Sequence, residues 1–241
     1  MEDANLWALL RAGKAEQERG LNLVRQAYTQ KPCGSEIMQL GIALLWLGRY
    51  VEAWEHYRGA IREYPRASDG DYGMAGVAKW CLGEQRDAVS EWNLGLRAKY
   101  ERAGLGVKMP LLLYFASVIR PDLYASDDAK KVMLEKTKNR RIKWFPGPIL
   151  QWILGQISED ELRQRCQGRH EPDLRNNLWQ VEFYRSLMTY EKGEVLLFRE
   201  SMSKLSDIHQ PEWQSETVLL DRIWCEEFFL ARHEAQLDSP S

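Results

Sequence analysis

The sequence predicts an all-α protein made of stacked helical hairpins, and two observations carry that expectation. Residues 36–65, EIMQLGIALLWLGRYVEAWEHYRGAIREYP, put small residues and stop signals where a helix–turn–helix needs them. The same pattern returns at a nearly fixed distance on both sides. A shift of 35 residues pairs Gly41 with Gly76, Ala43 with Ala78, Leu47 with Leu82, Gly48 with Gly83, Ala53 with Ala88, Tyr57 with Trp92 and Arg62 with Arg97. A backward shift of 33 pairs Ala60 with Ala27, Pro65 with Pro32 and Ala53 with Gly20. Self-similarity at such a period is the mark of helical-repeat architectures, in which each hairpin buries its apolar face only by stacking on its neighbours.

Each element of the first half has a local reason. Gly41 and Ala43 lie on a face that a second helix approaches closely, where a larger side chain would hold the two apart. Leu47-Gly48 ends the first helix, with Gly48 able to take the positive φ of a C-terminal cap. The second helix carries Ala53, Tyr57 and Ala60 at helical spacing, and Pro65 stops it by removing a donor and disfavouring helix before it. These residues resemble the tetratricopeptide repeat (TPR), a helix–turn–helix of roughly 34 residues. Gly41, Tyr50, Ala53, Tyr57, Ala60 and Pro65 fit its small, aromatic and terminating positions. The expected organisation is about three TPR-like repeats over residues 1–103, then a divergent helical lobe over residues 104–241 packed on the repeats and ending in a long C-terminal helix.

The second half starts with a connection, YERAGLGVKMP at residues 100–110, rich in glycine and closed by a proline. Met109 to Ile119 follows as an apolar helix with Leu112, Phe115 and Ile119 on one stripe. Ser126 before Asp127 and Asp128 reads as an N-cap with an acidic first turn, opening a helix to about Lys138. Lys136, Lys138, Arg140, Arg141 and Lys143 form the one dense basic run, a solvated helix end or a patch for an acidic partner. Within residues 144–168 two prolines start a short helix at Ile149, Gly155 ends it, and Ser158 with Glu161 forms a capping box. A further hairpin turns at Gly193, with Tyr184 and Leu187 before it and Leu197 and Met202 after it. The last helix is expected from about Pro211 to Glu234, with Leu220, Ile223, Trp224 and Phe228 as an apolar stripe that Phe229 and Leu230 widen.

Trp144, Pro146, the Leu154-Gly155-Gln156-Ile157-Ser158 turn and the Glu182-Phe183-Tyr184 helix give this half a resemblance to bacterial TPR lipoproteins of the NlpI kind. The resemblance implies an all-helical adaptor that docks proteases or cell-wall hydrolases. The chain departs from those proteins in its N-terminus, which shows no leader peptide and no lipidated cysteine, so a cytoplasmic location is the expectation.

The TPR resemblance also implies where a partner lies. First helices of the hairpins line the concave face, and TPRs that grip an acidic C-terminus present lysine and asparagine there. The matching positions here hold Met38, Ile42 and Trp46, then Val77 and nearby Trp80. Such a floor suits an amphipathic helix or apolar peptide rather than a carboxylate. Charge placed at Ile42 or Val77 is then expected to abolish capture without changing the melt. The competing expectation is that Trp46 and Trp80 pack on neighbouring helices or on the chain's own C-terminal helix. Of the other tryptophans, Trp7, Trp54, Trp92, Trp144, Trp152, Trp179, Trp213 and Trp224 fall in amphipathic stretches, where most serve as core.

Composition narrows the function classes. A formal charge of −2 over 241 residues gives no general attraction to nucleic acid or an anionic membrane, and no apolar run approaches a membrane span. Cys33, Cys81, Cys166 and Cys225 are widely spaced and read as buried or half-buried thiols. Cys166 and His170 sit four apart, but two ligands make no metal site. His56, His170, His209 and His233 are isolated, and HExxH, GxSxG and phosphate-binding glycine loops are absent. Ser68-Asp69-Gly70-Asp71 lacks the later ligands of a calcium loop and reads as a turn. No catalytic residue, cofactor or metal is therefore expected. The expected function is a non-catalytic protein-binding adaptor or scaffold. Its alternative is a dedicated single-partner inhibitor or chaperone, such as a toxin immunity protein or a secretion chaperone. An enzyme with a site assembled from scattered residues is the third class, and a deep polar pocket of converging titratable groups would mark it.

Overall fold

The structure, a computed structural model, describes residues 14–30, 34–63, 68–100, 106–166, 171–207 and 225–237. Among them the chain is all-helical, with twelve α-helices in sequence. These are α1 (Lys14–Gln30), α2 (Gly34–Trp46), α3 (Tyr50–Glu63), α4 (Asp69–Cys81), α5 (Gln85–Gly95), α6 (Lys108–Ile119), α7 (Ser126–Lys136), α8 (Gly147–Ile153), α9 (Glu159–Arg165), α10 (Glu171–Glu191), α11 (Val195–Ser206) and α12 (Glu226–Gln236). A 3₁₀ turn, Arg140–Lys143, precedes α8. None of the described helices is long and apolar enough to cross a membrane. The expectations for Trp7, Cys33, Pro65, His170, His209 and residues 211–224 lie outside the described residues.

Helices α1 to α5 each pack on the next. The α2–α3 and α4–α5 hairpins share their construction atom for atom. Gly48 has φ 71° and Gly83 has φ 79°, the left-handed region that glycine enters without a Cβ penalty. The Gly48 N–H donates to the Leu45 carbonyl and the Arg49 N–H to the Leu44 carbonyl. Gly83 and Glu84 repeat those bonds to Trp80 and Lys79. This pair of bonds satisfies carbonyls that the helix end would otherwise leave open, and the same pair closes α8 and α10.

The helix–helix contacts correspond as well. A Cβ on Gly41 would lie 2.1 Å from the Tyr57 ring, and one on Gly76 would lie 2.2 Å from Trp92 Nε1. Tyr57 and Trp92 are fully buried, so neither ring has room to retreat. Gly41→Ala and Gly76→Ala are therefore each expected to cost about 1–3 kcal/mol by overpacking. Gly59→Ala, in α3 with nothing within 4 Å of its Cβ, is expected to stabilise by about 0.5–1 kcal/mol. Urea melts of the three variants check the opposite signs.

The second half wraps the same core. Helix α6 is buried on every face from Met109 to Val118, not along one stripe, because α4, α5, α7 and α10 all pack against it. Pro110 sits in its first turn, where no intrahelical donor is needed. Helix α7 begins one residue earlier than expected. Ala125 holds the cap position and the Ser126 hydroxyl makes no capping bond. Ser158 does cap α9, accepting from the Glu161 N–H at 3.2 Å, while the Glu161 carboxylate pairs with Arg165 one turn on. The Ser68 segment is likewise a helix start, with the Asp71 carboxylate accepting the Ser68 N–H at 2.7 Å. Among the described tryptophans Trp144 is the exposed one. It follows the 3₁₀ turn, is 60 % exposed, and has Lys143 Nζ 5.7 Å from its ring centre. One continuous apolar core runs from Leu21 through Ala231, so both halves share an interior.

Candidate functional site

The five residues expected on a concave face are Met38, Ile42, Trp46, Val77 and Trp80. The structure buries all five in the continuous apolar core. Met38 and Ile42 are 1 % exposed, Val77 and Trp80 0 %, and Trp46 9 %. The helix that covers this floor belongs to the same chain. α12 packs on α4, α10 and α11, and its Phe228 ring stacks on Trp46 with centroids 6.0 Å apart and planes 5° from parallel. Trp80 stacks on Trp92 and meets Phe115 edge-on, joining the α4–α5 hairpin to α6.

The buried part of α12 is apolar through Phe228-Phe229-Leu230-Ala231, and polar ties hold both ends. Near its C-terminal end the Trp80 indole N–H donates to Glu234 Oε1 at 2.9 Å, which satisfies a buried indole and a buried carboxylate together. The Arg232 guanidinium lies 4.8 Å from the Trp46 ring centre and donates to the Trp46 carbonyl at 3.1 Å. That carbonyl is in the last turn of α2, where the helix dipole favours a cation. Beside these groups Cys81 is buried, and burial, with the Glu234 charge adding to it, pushes its thiol up to about 12. A thiol held so firmly in its neutral form is a packing group and not a nucleophile.

The N-terminal end of α12 is tied by charge. Lys108, at the start of α6, donates to both oxygens of Glu227 at 2.8 Å and lies 3.7 Å from Glu226. The Tyr184 hydroxyl of α10 donates to Glu227 Oε1 at 2.7 Å. Burial alone would lower the lysine pKa, but Glu227 and Glu226 outweigh it and hold the ammonium charged above its ordinary range. Tyr184 is held neutral well beyond the usual phenol range, by burial first and by the Glu227 charge second. Asp69, 2 % exposed at the start of α4, adds a third carboxyl group to this corner.

No part of this cluster was visible as a motif. Lys108 and Glu227 are 119 residues apart, and the single local signal was the adjacent pair Glu226-Glu227 ahead of an aromatic run. The cluster is enclosed rather than open to a cavity, with Glu227 fully buried. Two surface recesses have other linings. One, of about 450 Å³, is formed by Asn22, Arg25, Gln26, Thr29 and Gln30. The other, of about 490 Å³, is formed by Trp54, Glu55, Arg58 and Arg62. In the second, the buried Glu91 carboxylate accepts from the Trp54 indole and pairs with Arg58, so its polar groups already serve one another. Among the described residues no group of His, Cys, Asp and Glu side chains is arranged to hold a metal ion. Cys166 is buried, its thiol pushed up to about 11 by burial.

Comparison with protein-family models, with curated proteins and with solved structures gives no match to this chain.

Proposed function

We propose that the chain is a TPR-like helical solenoid with a divergent second lobe, working as a non-catalytic protein-binding adaptor. The observation that carries this function is the seating of α12. Helices α2 and α4 hold a third helix through an aromatic stack and through side-chain ties toward its C-terminal end. A cradle that fits a helix of its own chain has the width and chemistry for a partner's amphipathic helix, read through anchors three to four residues apart. Support for the repeat architecture comes from the matching caps and glycine–aromatic contacts of the α2–α3 and α4–α5 hairpins. The non-catalytic assignment is supported by the enclosure of the titratable cluster, whose groups are spent on one another.

One observation favours a second function, a dedicated single-partner inhibitor or chaperone. With α12 in place the cradle floor is covered, and a partner meets the outer surface instead. That surface carries apolar side chains at the start of α11, where Leu196 is 80 % and Leu197 53 % exposed. Leu196→Glu is expected to leave the urea midpoint within about 0.5 kcal/mol, as for surface changes generally.

Capture by the intact chain, read by mass spectrometry, separates the two functions. If excess peptide of residues 225–237 competes the captured protein away and Leu196→Glu leaves it bound, the cradle is the site. Loss of capture in Leu196→Glu, with no effect of the peptide, assigns the outer surface. Failure to enrich any protein over an unrelated helical bait removes the adaptor function altogether.

A further inference from the structure

We propose that the seating of α12 is a proton-dependent latch, set at the N-terminal end of that helix, where buried Glu226 and Glu227 share the Lys108 ammonium beside a third buried carboxyl group, Asp69. The corner contains Glu226 and Glu227 from α12, Asp69 from α4, and Lys108 from α6. From α10 comes the neutral Tyr184 hydroxyl, and Cys225 directly precedes the helix. Helix α11 also packs on α12, and its buried side chains are Phe198, Met202 and Leu205. Arg232, His233 and Glu234 lie further along α12, where Arg232 and Glu234 engage Trp46 and Trp80.

The geometry divides the work unevenly between the two glutamates. Glu227 takes both short bonds from Lys108 and the bond from Tyr184, the environment of a charged carboxylate. Glu226 is left at 3.7 Å from the ammonium. Its oxygen presses against α4 so closely that a Cβ on Gly73 would lie 2.5 Å from it. Placing a second full negative charge there, beside Glu227 and Asp69, is costly without water. The corner relieves that cost by holding a proton on Glu226.

Burial is the main cause of this preference, Glu227 and Asp69 add to it, and Lys108 opposes it; together they push Glu226 from the ordinary 4.5 up to about 7. The sign follows from the direction of that shift. Seated α12 binds a proton that unseated α12 has already released between about pH 4.5 and 7. The contribution of Glu226 to seating is therefore fully present below the lower value, and is lost as pH rises through the upper one. Raising the pH across this interval loosens α12 and uncovers Trp46, Val77 and Trp80. The latch belongs to the fold and stands whether or not the cradle takes a partner.

Amide hydrogen exchange on the full chain tests it, with rates converted to protection factors so that base catalysis of exchange cancels. Between pH 5 and 7 the protection of the 226–236 amides is expected to fall by up to about tenfold per pH unit and to level off above. The α2 and α3 amides are expected to hold steady. Glu226→Gln keeps the shape of the side chain, removes the titration and is expected to flatten the α12 profile. A flat wild-type profile overturns the proposal, as does a Glu226→Gln profile that still falls with pH. A parallel fall in α2 and α3 also overturns it, because the pH dependence then belongs to global unfolding. If the glutamine variant does not fold, the wild-type comparison of α12 with α2 and α3 decides alone.

Discussion

Val77→Asp is expected to unfold the chain or to lower its stability by roughly 2.5–6 kcal/mol. The estimate combines the lost burial of a full valine side chain, about 1.5–3 kcal/mol, with the cost of a buried polar group lacking a partner, about 1–3 kcal/mol. Val77 is 0 % exposed in the middle of α4, the helix that packs on α3, α5, α6 and α12 at once. An aspartate there has no route to water. Since a domain's whole stability is about 5–15 kcal/mol, the urea midpoint falls by a large fraction, and at the low end of that range far-ultraviolet dichroism is lost with it. Sequence reasoning predicts the opposite, a variant with an unchanged melt and a lost partner. Retention of the wild-type midpoint in Val77→Asp would show that α12 leaves this floor open in solution, which makes the substitution a test of the closed cradle itself.

Lys108→Met is the second large effect, at about 3–5 kcal/mol, the range for removing one partner of a buried ion pair. The methionine fills most of the lysine's volume, so the loss isolates the charge. Glu227 keeps the Tyr184 hydroxyl, but Glu226 and Glu227 then lie side by side without the Lys108 ammonium. Because the lysine pKa is raised in the fold, its contribution is complete through neutral pH and disappears only in strong alkali. The variant should therefore be weakest at neutral and higher pH and recover toward pH 5, as Glu226 takes up its proton. Adding Glu227→Gln to Lys108→Met restores most of the stability, since a neutral amide can still accept from Tyr184. Urea titrations of both variants at several pH values, compared at constant slope, measure these differences.

What was legible in the sequence was local. Gly48 and Gly83 sit where a helix must reverse, and no other residue takes their backbone angles as cheaply. Gly41 with Tyr57, and Gly76 with Trp92, announce a close approach because each pairs the smallest residue with a large ring. Helical spacing groups Met38, Ile42 and Trp46 on α2 and Val77 with Trp80 on α4, and all five are buried. Their cover was not legible. The stack of Phe228 on Trp46 joins positions 182 residues apart (228 less 46), and no periodicity encodes such a distance. Lys108 sits at the end of a glycine-rich connection, where a charged residue reads as solvated. Only the arrival of α12 turns it into a buried counterion. Helix α6 misled for a related reason: a stripe inferred from spacing assumes one neighbour, and this helix has neighbours all round. Spacing did not separate exposed Trp144, which follows a 3₁₀ turn, from the core tryptophans.

The bond from Trp80 to Glu234 spans 154 residues, and that separation has a consequence during synthesis. At 5–20 residues per second, the ribosome takes roughly 8–30 s to travel from one partner to the other. For all of that time the nascent chain carries an aromatic floor with nothing over it. The hairpins that form the floor can close early, because their caps and ring contacts lie within a few tens of residues. The lid over them is made well over a hundred residues later. A chaperone sampling the nascent chain therefore meets Trp46, Val77 and Trp80 bare, and the finished molecule withdraws them.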